Sequence, residues 1–237
     1  MLFWLTYRYP DQIQVPRSAK ALRFLAHWWR YPDSTNDQKY ADPPLPGKVS
    51  VLAYRNEMVL ARFQDATNYL QQTGQQGIQA INFVRNNKQI KTGVGIHGEQ
   101  ALNHDLGIYA RLFKSDGQTE TMSFTEADQS VSLGIGLNGN RWQRPKDTVG
   151  ISVMQNGLSN QRKGYLQAGG ISYFIGDYAS PTQTISYSPE RIGEIYYNAA
   201  VIKNVLAGLN FQHIINPAYN SARGPVNIVS FRIHAEF

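Results

Sequence analysis

Read two residues at a time, the chain sorts greasy from polar side chains over many short stretches. At its end Phe237, Ala235, Ile233, Phe231 and Val229 fall on one side, and Glu236, His234, Arg232, Ser230 and Ile228 on the other. Leu106, Ile108, Ala110 and Leu112 alternate with Gly107, Tyr109 and Arg111. Val131, Leu133, Ile135 and Leu137 alternate with Ser130, Ser132, Gly134 and Gly136, and Val149, Ile151 and Val153 with Gly150 and Ser152. A period of two is the spacing of a β-strand between an apolar and a polar medium. The greasy side faces either a protein core or lipid.

Such runs, bounded by turn residues, predict strands over 1–9, 20–30, 47–57, 77–86, 93–100, 106–114, 119–125, 129–138, 147–157, 164–176, 189–202, 205–215 and 226–237, about 13 in all. A sandwich shows the same alternation, but its strands average about 5–6 residues. Runs of ten or more match the length of a tilted bilayer crossing. Asp116-Gly117 predicts a tight hairpin and Lys203-Asn204 another. Longer polar connections fall at 31–46, 139–146, 177–188 and 216–225. Only 58–73, MVLARFQDATNYLQQT, predicts a helix, a short one capping an end of the sheet. On this count the tight links near 101–105, 126–128, 158–163 and 203–204 share an end with the C-terminus, and longer loops occupy the other. The Asp116 hairpin and the 58–76 segment fall on the wrong rims.

Composition narrows the choice. The chain has 237 residues, 23 Lys+Arg against 17 Asp+Glu, and a net charge of +6. Its basic residues are scattered among Tyr, Gln and Asn, without the clustered patch that nucleic-acid binding requires. The absence of cysteine removes disulfide scaffolds, thiolate metal sites and cysteine nucleophiles. Mean hydropathy is −0.41, and no segment approaches the ~18 consecutive apolar residues of a membrane helix. That excludes a helical membrane protein but not a β-barrel, whose alternating strands dilute the signal. The opening MLFWLTYRYPDQIQ has no basic segment and apolar core of a secretory signal and resembles a strand already under way.

No chemical motif survives inspection. GVGIHG at 93–98 fits G-x-G-x-x-G, but it follows a polar turn and precedes a strand instead of opening a helix. His27, His97, His104, His213 and His234 have no metal-ligand spacing, so no metal is expected. Ser159, in NGLSN, lacks the glycines of a nucleophile elbow. Aromatic residues make up 12% of the chain, 14 of them Tyr. Tyr7, Tyr9, Trp28, Trp29, Trp142, Tyr165, Tyr173, Phe174, Tyr196, Tyr197, Phe211 and Phe237 sit near run ends, as a membrane-interface girdle requires. Inward-facing Tyr109 and Tyr196 are the better candidates for stacking on sugar.

The blocks GEQALNHDLGIYAR, DGQTETMSFTEADQSVSLGIGLNGNRWQRPKDTVGISV, YLQAGGISYFIGD, PERIGEIYYN and NPAYNSARGPVNIVSFRIHAEF resemble, in this order, the carbohydrate-selective porin family of Gram-negative outer membranes. The resemblance is strongest over 48–237. The chain departs from the family pattern at Gly176-Asp177-Tyr178, where the family carries Gly-Asp-Gly, and at Ala222, where it carries an acidic residue. Membership implies one all-β domain over 1–237, an antiparallel transmembrane β-barrel of about 16 strands. It also implies facilitated diffusion of small sugars, no cofactor and no catalysis. Phe237 resembles the C-terminal signal read by the barrel-assembly machinery. Against about 16 strands, about 13 make the chain the C-terminal portion of a porin without its signal peptide and first strands.

Inward alternation nominates Tyr109, Arg111, Glu194, Tyr196, Asn198, Asn210, Gln212, Arg232 and His234 as pore-lining residues. Glu99, Asp105, Glu120, Arg141, Arg144, Glu190 and Arg223 belong near the rims or on inward-folded loops. The expected partners are small sugars, outer-membrane lipid and the assembly machinery, with no nucleic acid; a homo-oligomer is compatible with the pattern. An outer-membrane barrel enzyme or adhesin is the main alternative, followed by a soluble sandwich binder or an inactive truncated remnant.

Overall fold

The computed structural model of the chain describes residues 19–28, 45–121, 126–172, 175 and 186–236. Among them nine strands run β1 (Ala19–Trp28), β2 (Gly47–Val59), β3 (Lys88–Ala101), β4 (Leu106–Ser115), β5 (Gln129–Gly139), β6 (Arg144–Gly157), β7 (Glu190–Ile202), β8 (Val205–Ile215) and β9 (Val226–Ala235). Each pairs antiparallel with its neighbour in chain order, giving one sheet ordered β1 to β9. The architecture is an all-β antiparallel meander. Within the described residues the sheet is open, with β1 and β9 at its edges.

The alternation read from sequence is the alternation of the sheet. Register pairs Leu112 with Val131, Leu133 with Val153, Ile151 with Ile195, and Phe211 with Val229, so one apolar face is continuous from strand to strand. Its side chains are open: Leu133 is 54% exposed, Val153 56% and Phe231 67%. A contiguous apolar patch of that extent is far beyond what a water-soluble surface carries. No described helix is long and apolar enough to cross a membrane.

The buried core lies at one end of the sheet. Three helices, α1 (Phe63–Thr73), α2 (Ile81–Val84) and α3 (Asn160–Gln167), enclose a cluster of Ala61, Phe63, Ala66, Leu70, Ile81, Leu158, Tyr165, Leu166, Ile175 and Tyr219. In α1, Phe63, Ala66 and Leu70 repeat at helical spacing and are buried. Gly74, at φ 68°, ends that helix, its N–H donating to the Leu70 carbonyl at 2.9 Å.

Three expected strands are corrected. The 77–86 run is a loop and the one-turn α2: Ile78, Ile81 and Val84 recur every third residue and turn to the cap together. Of the 164–176 run, 164–167 belong to α3, while 173, 174 and 176 lie outside the described residues. Ser159 caps that helix by accepting from the Arg162 N–H at 3.1 Å, and the adjacent Tyr165 and Leu166 are both buried, which alternation forbids. At 119–125 Thr119 makes a single bridge to Arg62, while 122–125 lie outside the described residues. The Asp116-Gly117 pair accordingly closes no two-residue hairpin. The Asp116 carboxylate accepts from the Thr92 N–H at 2.5 Å and the Gln118 N–H at 2.9 Å, and the chain continues to Gln129 before pairing with β4. The helix expected at 58–73 starts at Phe63, since Met58 and Val59 continue β2. The 139–146 connection is shorter than expected: β6 begins at Arg144, after a turn in which Gln143 takes φ 61°. The expected strand at 1–9 and Phe237 lie outside the described residues.

These corrections re-sort the rims. The links at 102–105, 140–143 and 203–204 share the end of Ala235, with Asn204 at φ 62° in a two-residue turn. So does 29–46. The connections at 60–87, 116–128, 158–189 and 216–225 all lie at the opposite end, the loop rim. The links at 126–128 and 158–163 therefore belong to the loop rim, not to the C-terminal one. Both misfits of the sequence count disappear with the three strands that are not strands.

Candidate functional site

Opposite the apolar face, the same strands carry a polar one, and register places the nominated residues on it. Glu194 of β7 stands between Ser152 of β6 and Gln212 of β8; Tyr196 stands between Gly150 and Asn210; Asn198 between Thr148 and Gly208. Across β9, Asn210 faces Ser230, Arg232 faces Gly208 and His234 faces Leu206. The Glu194 carboxylate gathers two amides: it accepts from Asn210 Nδ2 and, at 3.3 Å, from Gln212 Nε2. An ionised acceptor held by side-chain amides is fixed in direction while keeping lone pairs for further donors.

A second group stands on β3 and β4. Tyr109 pairs with Glu99 and Gly134, and Arg111 with His97 and Ser132. The Arg111 guanidinium sits 5.2 Å from the centre of the Tyr109 ring, and the His97 ring meets that ring edge-on at 6.5 Å. His97 Nε2 lies 3.6 Å from Glu99 Oε2. Among the described residues no three His, Asp or Glu side chains come together to hold a metal ion.

Glycine gives these tyrosines their place. A Cβ on Gly134 would lie 2.3 Å from Tyr109 Cε1, one on Gly150 2.3 Å from Tyr196 Cε1, and one on Gly93 2.4 Å from Tyr54 Cε1. The phenol end of each ring occupies the space above a glycine on the neighbouring strand. Glycine inside a strand marks such a close approach. Gly93, the first glycine of GVGIHG, lies within β3, receives the Tyr54 ring from β2 and opens no phosphate loop.

The expected rim residues divide by role. Asp105 accepts from Asn140 Nδ2 at 2.5 Å, tying two turns of the C-terminal rim; Arg141 is exposed in the second of them. Arg144 pairs with Asp147, which also accepts from the Tyr197 hydroxyl and the Ala200 N–H. Trp142 Nε1 donates to Tyr197 at 3.3 Å, so this corner of the aromatic set is held by one carboxylate. At the loop rim Glu190 accepts from Asn156 Nδ2 at 3.3 Å and the Ala218 N–H at 3.0 Å, and Arg223 donates to the Pro217 carbonyl at 3.3 Å. Glu120 is buried in the cap, accepting from the Ala61 N–H at 2.7 Å and from Arg85 at 2.5 Å; that bond raises the Arg85 pKa. Through Arg85, Glu120 ties the C-terminal end of α2 to the connection after β4, at the loop rim.

Tyr165 also departs from expectation. It is fully buried in the cap, not at an interface, and burial pushes its phenol up to about 12. Sequence reading missed Arg162, which is 0% exposed, with Nη1 2.6 Å from Glu126 and Nε 3.1 Å from Asp128. Phe63 stacks on the guanidinium at 4.9 Å, and the Ser172 hydroxyl donates to Glu126. The three charges come from segments read as tight links, 126–128 and 158–163, and no local spacing joins them.

A comparison with curated proteins returns no match. Among solved structures, the high-pH structure of Pseudomonas putida OprB superposes with a TM-score of 0.65 at 18% identity, over 93% of this chain and 49% of that one. The two share a fold, and the chain spans about half the length of that porin. The family model described as carbohydrate-selective porin, OprB family, matches residues 24–237, beginning upstream of the segment where the motifs are densest. The chain belongs to the OprB family of carbohydrate-selective porins.

Proposed function

We propose that the chain forms wall and cap of a single water-filled β-barrel domain in a Gram-negative outer membrane, through which small carbohydrates pass by facilitated diffusion. The family is one of transport channels, not enzymes. The observation that carries the reading is the division of one sheet into an open apolar face and a polar face organised around Glu194, Arg111 and two glycine-seated tyrosines. A barrel wall needs lipid on one side and water on the other. On the water side Tyr109, Arg111, Glu194, Tyr196, Asn198, Asn210, Gln212, Arg232 and His234 exchange hydrogen bonds with sugar hydroxyls, and the interactions stay weak because a transported solute has to leave. The apolar face meets lipid.

The test is channel recording in planar bilayers under a salt gradient, with glucose added. Glu194→Gln removes a negative charge from the water side and shifts the reversal potential toward anion preference. Arg111→Gln shifts it the opposite way. Both variants keep the folded, heat-modifiable band. Unchanged selectivity and unchanged sugar block in both overturn the lumen assignment.

A further inference from the structure

Phe83 is exposed without the reason that covers the other apolar side chains. Every other exposed large hydrophobic residue among the described ones lies in a strand, apart from Leu102 in the turn at the C-terminal rim. Phe83 stands at the loop rim on α2 and is 58% exposed. One turn of helix sends its neighbours Ala80 and Ile81 into the cap core and turns Asn82 and Phe83 outward. Beneath it, the Tyr69 ring stacks at 5.3 Å with an interplanar angle of 4°.

Among the described residues the concavity beside this ring is lined by polar, uncharged side chains. It has a volume of about 670 Å³ and is lined by Gln75, Gln76, Gln79, Asn82 and Ile171 among others, with no Asp, Glu, Lys, Arg or His among the described residues. Asn82 Nδ2 donates to Gln79 Oε1 at 3.0 Å, which orients both amides and uses only part of their donor and acceptor capacity. The loop that carries them is pinned to the exit of α3: the Gly77 N–H donates to the Gly169 carbonyl at 2.8 Å, and the Ile171 N–H to the Ile78 carbonyl at 3.1 Å.

We propose that Phe83 and the amides around it form a docking shelf for a neutral pyranose at the loop rim, ahead of the lumen. The inference rests on the porin reading and names a subsite for it. A pyranose has one face of C–H groups, which rests on an aromatic ring, and a rim of hydroxyls that both donate and accept. Side-chain amides also do both. An uncharged lining sets no penalty on a neutral solute and gives no purchase to an ionic one. The Tyr69 stack and the pinned loop hold the ring in place before the sugar arrives, so little ordering accompanies binding.

The experiment uses the full chain folded in detergent, titrated with methyl α-D-glucoside and followed by saturation-transfer NMR, alongside bilayer recording of the same preparations. Phe83→Ala weakens the glucoside by about three- to tenfold, the range of an aromatic stacking contact, while sugar-free conductance stays at the wild-type value. Asn82→Asp weakens it as well without touching the ring. If the wild type conducts and is blocked by sugar, yet both variants bind the glucoside as the wild type does, the shelf is overturned and the porin reading stands. If the variants lose affinity but no preparation conducts, the shelf stands and transport is overturned. A wild type that neither binds nor conducts overturns both.

Discussion

At the scale of single residues, the polar face is shaped as much by missing side chains as by present ones. Tyr109 and Tyr196 reach across to a neighbouring strand, where Gly134 and Gly150 leave room for the phenol end. A methyl at residue 134 meets ring carbons at 2.3 and 2.6 Å, so the ring must leave its place. Gly134→Ala is therefore expected to lower stability by about 1–3 kcal/mol, the usual cost of overpacking, read as the urea midpoint of the folded band. Tyr109→Ala in the same chain removes most of that cost, giving a coupling that additive effects would not. Sequence alternation does nominate the tyrosines, because parity is local. It is silent about the glycines, because which strand lies alongside, and in which register, is decided by pairing with residues 25 or more positions away.

At the scale of elements, periodicity served the strands well and the cap poorly. The runs at 93–100, 106–114, 129–138 and 205–215 all fall inside strands of the sheet, since each has one face for lipid and one for water. The segments 77–86 and 164–176 are apolar on the side turned to a small local core. A helix as short as α2 shows too few repeats to betray its period. The buried Arg162 was equally hidden. Its partners Glu126 and Asp128 lie more than 30 residues away and meet it only when α3 folds over the loop after β4. Removing the cation strands two buried carboxylates, so Arg162→Met is expected to destabilise the cap by about 3–5 kcal/mol. Amide hydrogen exchange should register this as at least a hundredfold loss of protection in α1 and α3, with the strand amides of β7 to β9 unchanged. Equal loss everywhere would mean that cap and sheet unfold as one unit.

At the scale of the whole molecule, the connections from β2 onward sort by length once the strands are counted correctly. Those with helices or long loops, at 60–87, 116–128, 158–189 and 216–225, all gather on one rim, and the turns of two to four residues stand on the other. Outer-membrane barrels show this asymmetry, with short turns on the periplasmic side and long loops outside. The apolar face between the rims then has a depth axis, and the axis can be measured. Leu133 lies near the middle of β5 and is 54% exposed on that face; Asn227 stands on the same face near the loop rim, where its side chain meets His213 at 2.7 Å. If lipid covers the face, Leu133→Arg costs about 2–4 kcal/mol and Asn227→Arg about 0–1 kcal/mol, because the penalty for a lipid-facing arginine falls from midplane to interface. Denaturant midpoints of the folded band in phospholipid vesicles give both values. Were the face to meet water instead, Leu133→Arg would be neutral or stabilising, and equal small effects at the two positions would end the membrane reading of the sheet.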